Sequence, residues 1–283
     1  MIHTSRQVKD LVRNLSKDTG IEAHVLIRKF VMERFLERVS ISKYRNQFIL
    51  KGGLLVSAFV GTEVRATMDI DTTIKGFTVN EESMARIIRE ICDEEMDDGI
   101  TFRIKGISTI MDEAEYNGIR LTMEAYLDNS VTPLKIDVST GDVITPREIL
   151  YSYKLMFEDR SIPIMTYPVE TVLAEKLETL ITRSVTNTRM RDFYDIHVLL
   201  KSEKQKIDYI ILKEAVSATA VKRGSYELMK DAGKVLVTVK NSLLMQDLWK
   251  RYQRRFSYAE DYSWDDVIQS ARKLAQEAGL LGG

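Results

Sequence analysis

The sequence predicts an α+β protein, a mixed β-sheet flanked by helices and followed by a helical lobe. Three observations carry this. Apolar runs with the period-2 spacing of half-buried strands fall before residue 140, and from Pro168 onward nearly every stretch has helical spacing. The length of 283 residues suits about two domains, here 1–160 and 161–283, with the change of pattern between residues 140 and 165. Hydrophobic residues at 44% and charged residues at 29% suit a globular chain and exclude a disordered one. No run approaches the ~18 apolar residues of a membrane span, and the first residues lead into a charged helical pattern without a signal-peptide core. A lone cysteine, Cys92, excludes an internal disulfide, and His3, His24 and His197 are too scattered for a Cys/His metal cage. A cytoplasmic protein is expected.

In chain order, Thr4 or Ser5 can cap a first helix that Gly20 stops, with Val8, Leu11, Val12 and Leu15 on one face. A second helix turns Val25, Leu26, Phe30, Met32, Phe35 and Leu36 toward a core. The short strand Phe48-Ile49-Leu50 meets Lys51-Gly52-Gly53 and a small helix through Leu54, Leu55, Ala58 and Phe59. Residues 67–74 alternate as a half-buried strand. Asn80 caps a helix with acids in its first turn. Strands are expected over 100–111, 119–127 and 134–139, the first two joined as a hairpin by Tyr116-Asn117-Gly118. Helices follow over 169–183, 189–201, 207–220, around 228–251, and over 264–278 with Ser263 as its cap.

Asp69 and Asp71 are two apart on an expected strand, so both leave one face. Adjacent carboxylates repel unless a cation lies between them. Mg²⁺ or Mn²⁺, held by one or two carboxylates plus substrate phosphates, answers that need. A D-x-D pair is common, and a solvated strand edge or a turn would also account for it. Upstream, the paired glycines between strand and helix let backbone N–H groups approach phosphate oxygens, although a plain strand-to-helix turn uses glycines in the same way. Downstream, 134–139 alternates: Lys135, Asp137 and Ser139 share the polar face, while Leu134, Ile136 and Val138 face a core. Asp137 could be a third carboxylate of a two-metal site, or simply a salt-bridge partner.

The order Gly52-Gly53, then Thr67-x-Asp69-x-Asp71, then a later strand Asp137 resembles the polymerase-β-type nucleotidyltransferases. Within that superfamily, four pieces resemble the AbiEii/AbiGii toxin family of type IV toxin–antitoxin systems, relatives of the MenT-type tRNA-modifying toxins. They are Leu50-Lys51-Gly52-Gly53, residues 65–71, Val172-Leu173-Ala174-Glu175-Lys176-Leu177, and Arg191-Asp192-Phe193-Tyr194-Asp195. The resemblance implies a catalytic set of Asp69, Asp71, Asp137, Lys176 and Asp192, with metal on the three strand carboxylates. Nucleotide contacts would come from Lys51, Gly52, Gly53, Ser57, Arg65, Thr67, Lys176 and Asp195. Gly53 stands where many members have serine, so a hydroxyl contact to phosphate must come from Ser57 or Thr67. The family further implies transfer of a nucleotide from an NTP, GTP or CTP, to RNA, with tRNA the acceptor. It implies toxicity in phage defence and an antitoxin that need not bind the toxin; the toxin itself is expected to be a monomer.

Lys176 lies one turn from Val172, Leu173 and Leu180, so it either snorkels to water or reaches into a cleft toward phosphates. Asp192 and Asp195 share the face of the next helix that carries Ile196 and Leu199. Cys92 and His197 are expected to pack rather than react.

The net charge of −1 conceals an asymmetry. Residues 1–51 hold eleven Lys/Arg against five Asp/Glu, residues 63–159 ten against twenty-one, and residues 222–255 nine against three. Basic ends around an acidic middle suit a polyanionic acceptor, although charge runs also simply solvate helix faces. In the aromatic and basic run 249–258, Lys250, Arg251, Arg254 and Arg255 are the expected RNA contacts, with Arg28, Lys29 and Arg34 as a second basic surface. A small-molecule nucleotidyltransferase would need neither surface. A non-catalytic nucleotide- or RNA-binding module would not need the carboxylates.

Overall fold

The computed structural model describes residues 2–61, 65, 67–111, 117–202 and 206–281. They fall into two compact units. The first takes the described residues of Met1–Ala58, Arg65–Asp142 and Ile149–Thr166, and the second those of Phe59–Val64, Val143–Glu148 and Tyr167–Gly283.

The first unit opens with α1 (Ser5–Thr19), which Thr4 and Gln7 cap reciprocally and Gly20 closes at φ +72°. Val8 and Val12 are buried, but Leu11 on the expected apolar face is exposed. In α2 (Ala23–Ile41) every residue from Phe30 to Ser40 is buried, charges included. The burial is tolerable because each charge meets a partner. Arg38 makes a two-point pair with Asp98 at 2.7 and 2.9 Å, and Arg34 reaches Glu37 at 3.0 Å and Glu158 at 2.8 Å. Arg160 bonds Glu37 and Glu158, while Lys29 lies 3.6 Å from Glu33. This corrects one expectation: Lys29 and Arg34 do not form a basic surface, since both are spent inside this network.

Next come β1 (Phe48–Lys51), α3 (Gly52–Val60), β2 (Ile70–Ile74) and α4 (Glu81–Cys92), the last capped by the Asn80 side chain. The strands β3 (Ile100–Met111), β4 (Asn117–Leu127), β5 (Ser130–Ser139), β6 (Ile149–Lys154) and β7 (Ser161–Thr166) complete one seven-stranded sheet. Its order is β3-β4-β5-β2-β1-β7-β6. The pairs β2–β5 and β1–β7 are parallel and the other four antiparallel. The expected strand over 67–74 begins only at Ile70, leaving Asp69 on the bend just before it. The hairpin of β3 and β4 forms, but Asn117 and Gly118 already pair with Met111 and Ile110; Tyr116 lies outside the described residues. Strand β5 starts four residues earlier than expected and includes Pro133. β2 pairs it only from Ile136 onward, so one side of the Pro133 segment has no strand to donate to. The β6–β7 hairpin was not expected at all.

The second unit is helical: α5 (Val169–Arg183), α6 (Met190–Ser202), α7 (Tyr209–Lys222), α8 (Tyr226–Met229), α9 (Ala232–Asn241), α10 (Leu243–Arg255) and α11 (Trp264–Glu277). The single helical stretch expected around 228–251 is three helices, broken at Asp231 and at Ser242, whose hydroxyl caps α10. Ser263 and Asp266 form a capping box at the start of α11, as the sequence suggests. No helix among the described residues is long and apolar enough to cross a membrane.

Candidate active site

Register explains how the charged residues of the sheet come together. Lys51 on β1 pairs with Asp71 on β2, Asp71 with Asp137 on β5, and Asp137 with Arg120 on β4. Residues opposite one another share a face, so these four side chains form a row across four strands. Their strand neighbours Leu50, Ile70, Thr72, Ile136, Val138, Ile119 and Leu121 are buried on the other face. That alternation places the row where solvent and ligands can reach it.

The carboxylates in and beside the row differ. Asp69 and Asp71 have no ion-pair partner among the described residues. Burial, and then the charge of Asp71, hold the Asp69 carboxyl above the ordinary aspartate range, with Asp137 adding to the effect. Asp137 instead accepts two bonds from Arg120, Nε to Oδ1 at 2.8 Å and Nη2 to Oδ2 at 2.6 Å. The pair raises the pKa of Arg120 further, chiefly through those hydrogen bonds. Among the described residues no three acidic, histidine or cysteine side chains gather closely enough to hold a metal ion. As a donor set, Asp69 and Asp71 fit a hard divalent cation, being two oxygen ligands whose repulsion a cation would relieve. Asp137 fits less readily in the arrangement seen, because each of its oxygens already accepts a bond from Arg120.

The glycines shape the floor beside this dyad. Gly52 has φ +67°, and a Cβ there would come within 2.0 Å of Asp71 Oδ2. The Gly53 amide donates to the same oxygen at 3.4 Å. A Cβ on Gly53 would sit 2.7 Å from Thr67 Oγ1 and 3.2 Å from the Arg65 guanidinium. The Thr67 hydroxyl therefore occupies the space a serine at 53 would take. Ser57 is buried within α3, and its hydroxyl has no hydrogen-bond partner among the described residues. Arg65 is buried beside Gly53. Lys51, at its end of the row, is already engaged: Nζ donates to Ser139 Oγ at 2.8 Å and Asp142 Oδ2 at 2.7 Å. Asp142 also accepts from Ser139 at 2.7 Å, tying the ends of β1 and β5 together.

In the helical unit, Lys176 on α5 neither snorkels nor stands open in a cleft. Its Nζ donates to Asp192 Oδ1 at 2.9 Å and to Asp195 Oδ2 at 2.7 Å, both on α6, and the lysine side chain is only 13% exposed. Burial alone would lower its pKa, but the two carboxylates outweigh burial and leave it raised. Asp192 and Asp195 are one helical turn apart and share this partner.

Farther along, the aromatic residues of 249–258 face inward. Trp249 is buried and donates to Tyr262 O at 3.0 Å, Tyr252 stacks on Trp249 at 5.4 Å, and Tyr194 packs against Tyr258 at 4.9 Å. Lys250, Arg251, Arg254 and Arg255 remain exposed on α10. His197 bonds Ser270 at 2.8 Å and packs on Tyr262, and half-buried Cys92 has its thiol pushed up to about 12 by burial. Both are packing residues here.

Arg120 and Asp142 are the members of the charged cluster that sequence reasoning missed. Alternation along 119–127 does put Arg120 on the polar face, but its partner depends on how β4 and β5 pair. Asp142 lies beyond the expected strand over 134–139, with no pattern to mark it.

No curated protein is significantly similar to the chain. Among solved structures, JHP933 from Helicobacter pylori aligns at a TM-score of 0.50 and 16% identity, covering 91% of this chain and 93% of that one. A second H. pylori protein, assigned as a candidate nucleotidyltransferase, aligns at the same score and identity over 93% of this chain and 100% of the other. At that identity the likeness is one of fold. A profile of the nucleotidyl transferase AbiEii toxin family, type IV toxin–antitoxin system, matches residues 34–270, which take in both the carboxylate row and the Lys176 cluster. The chain belongs to that family of nucleotidyltransferase toxins.

Proposed function

We propose that this toxin transfers a nucleotide from an NTP to an RNA hydroxyl, with tRNA the acceptor, and that growth arrest during phage infection follows. The observation that carries the reading is the unpaired dyad of Asp69 and Asp71 set against the side-chain-free floor of Gly52 and Gly53. In the reaction, the acceptor hydroxyl gives its proton to solvent water as its oxygen forms a bond to the α-phosphorus, the bond from that phosphorus to the α–β bridging oxygen breaks, and pyrophosphate leaves. A Mg²⁺ or Mn²⁺ ion on Asp69 and Asp71 would supply positive charge to the triphosphate. The residues of the chain do the rest. The Gly53 floor leaves room for the nucleotide's phosphates, Thr67 offers the hydroxyl, and the exposed cations of α10 attract the acceptor's phosphates. Lys176, with Asp192 and Asp195, is carried into the nucleotide-binding set by the family pattern.

Membership of a type IV toxin family implies a cognate antitoxin, and in this reading the two need not touch. The toxin acts as a monomer in the cytoplasm, with GTP or CTP as donor. Incubating purified protein with total RNA and each labelled NTP, with Mg²⁺ or Mn²⁺ and then with EDTA, tests the reading. Metal-dependent label in a tRNA-sized band is expected; none with any NTP would refute it. A small-molecule acceptor gains some support from the burial of Lys29 and Arg34, two of the three cations of the second basic surface. Transfer insensitive to added salt and to RNA would favour that rival.

A further inference from the structure

Asp137 and Arg120 form a closed pair beside an open one. The two bonds at 2.8 and 2.6 Å use Nε–H and one Nη2–H of the guanidinium. An arginine has five N–H donors, so three remain, and none meets an acceptor among the described residues. The Arg120 side chain is 43% exposed, against 23% for Asp137, so the remaining donors are open to solvent. The register fixes where this cation stands: next in the row after Asp71 and Asp137, on the face that carries the dyad. An incoming polyphosphate would meet net negative charge from Asp69 and Asp71. The Arg120–Asp137 pair adds no net charge to this, but a planar cation held by a two-point carboxylate contact presents its free edge for a second two-point contact.

We propose that Arg120 is a nucleotide-binding residue that takes the β- and γ-phosphates of the NTP, the part that leaves as pyrophosphate, and that Asp137 is a positioning residue that aims it. This replaces the metal-ligand role that family resemblance gives Asp137, and it rests on the nucleotidyltransferase reading. Arg120 then stabilises the charge that builds on the pyrophosphate as the α–β bridging bond breaks, and no proton moves through either residue.

Calorimetric titration of the full chain with inorganic pyrophosphate in EDTA, and separately with Mn²⁺ alone, tests the assignment. Arg120→Lys keeps the charge but loses the fork, and should weaken pyrophosphate binding about tenfold, the worth of a charged hydrogen bond. In an Asp137→Ala background, where nothing aims the guanidinium, Arg120→Lys should cost nothing further. Asp137→Asn should leave Mn²⁺ affinity within about threefold of the parent, while Asp69→Asn should abolish Mn²⁺ binding. Arg120→Lys binding pyrophosphate as the parent does would overturn the proposal, as would Asp137→Asn losing Mn²⁺ as completely as Asp69→Asn. A parent that binds neither probe would remove the nucleotidyltransferase reading, and this proposal with it. A parent that binds both, with either overturning result in the variants, would remove this proposal alone.

Discussion

Lys176→Met is the sharpest test of what holds the helical unit together. Methionine fills much the same volume but carries no charge. It leaves Asp192 and Asp195, the second fully buried, without the ammonium that bonds them at 2.9 and 2.7 Å. Removing one partner of a buried ion pair costs about 3–5 kcal/mol, because the charge left behind is neither solvated nor balanced. At about 2–4 °C of melting temperature per kcal/mol for a unit of this size, the loss should be roughly 6–20 °C. Adding Asp192→Asn should recover part of it by removing one of the carboxylates. The pH dependence has a definite sign. The folded pKa of Lys176 lies above its ordinary 10.5, so its contribution is complete below 10.5 and fades as pH rises through the folded value. The gap in melting temperature between parent and variant, followed from pH 8 upward, should stay constant to about 10.5 and narrow beyond it. A variant melting within 2 °C of the parent at pH 8 would refute the reasoning.

Three further outcomes are expected. Gly52→Ala should lower stability by at least about 1–2 kcal/mol from the positive φ alone. The new methyl must also push the Asp71 carboxylate aside, so Mn²⁺ binding should weaken; unchanged melting and unchanged Mn²⁺ titration would count against the cradle. Asp69→Asn should abolish transfer while stabilising the metal-free protein by up to about 1 kcal/mol at neutral pH. The folded pKa of Asp69 is raised, so its charge opposes folding above that value, and the advantage of the variant should vanish below about pH 3.8, where aspartate is protonated in both states. Reversing Arg251, Arg254 and Arg255 to Glu should weaken RNA binding at least tenfold and flatten its dependence on salt, with NTP affinity unchanged by titration. RNA labelling equal to the parent's across a salt series would remove α10 as the acceptor surface.

Much of the fold was legible because it is written locally. Caps at Thr4, Asn80 and Ser263, the glycine stop at Gly20 and the 3.6-residue spacing of α5 and α6 each lie within one turn of the residues they govern. The β6–β7 hairpin escaped because β6 does not alternate cleanly and β7 carries a proline, a residue that reads as a strand breaker. Leu150 on β6 is 68% exposed near the edge of the sheet. The charges on α2 misled for the opposite reason: their partners Asp98, Glu158 and Arg160 lie 60 or more residues away, and nothing in the helix itself announces them.

The candidate site divides along the same line. Asp69, Asp71 and the glycine pair could be found because D-x-D and G-G are short patterns whose chemistry is local. What those patterns could not give is which carboxylate stays open. That depends on register, a property of strand pairing between segments far apart: β2 against β5 sets Asp137 beside Asp71, and β4 against β5 sets Arg120 across from it. The same three acids, with β4 shifted by two residues, would place Thr122 opposite Asp137 and leave a third bare carboxylate. The difference between an open triad and a dyad flanked by a clamped cation thus lies in the pairing of two strands. For a family whose pattern names the acids but not their partners, the residue opposite the third strand carboxylate is the position to substitute first.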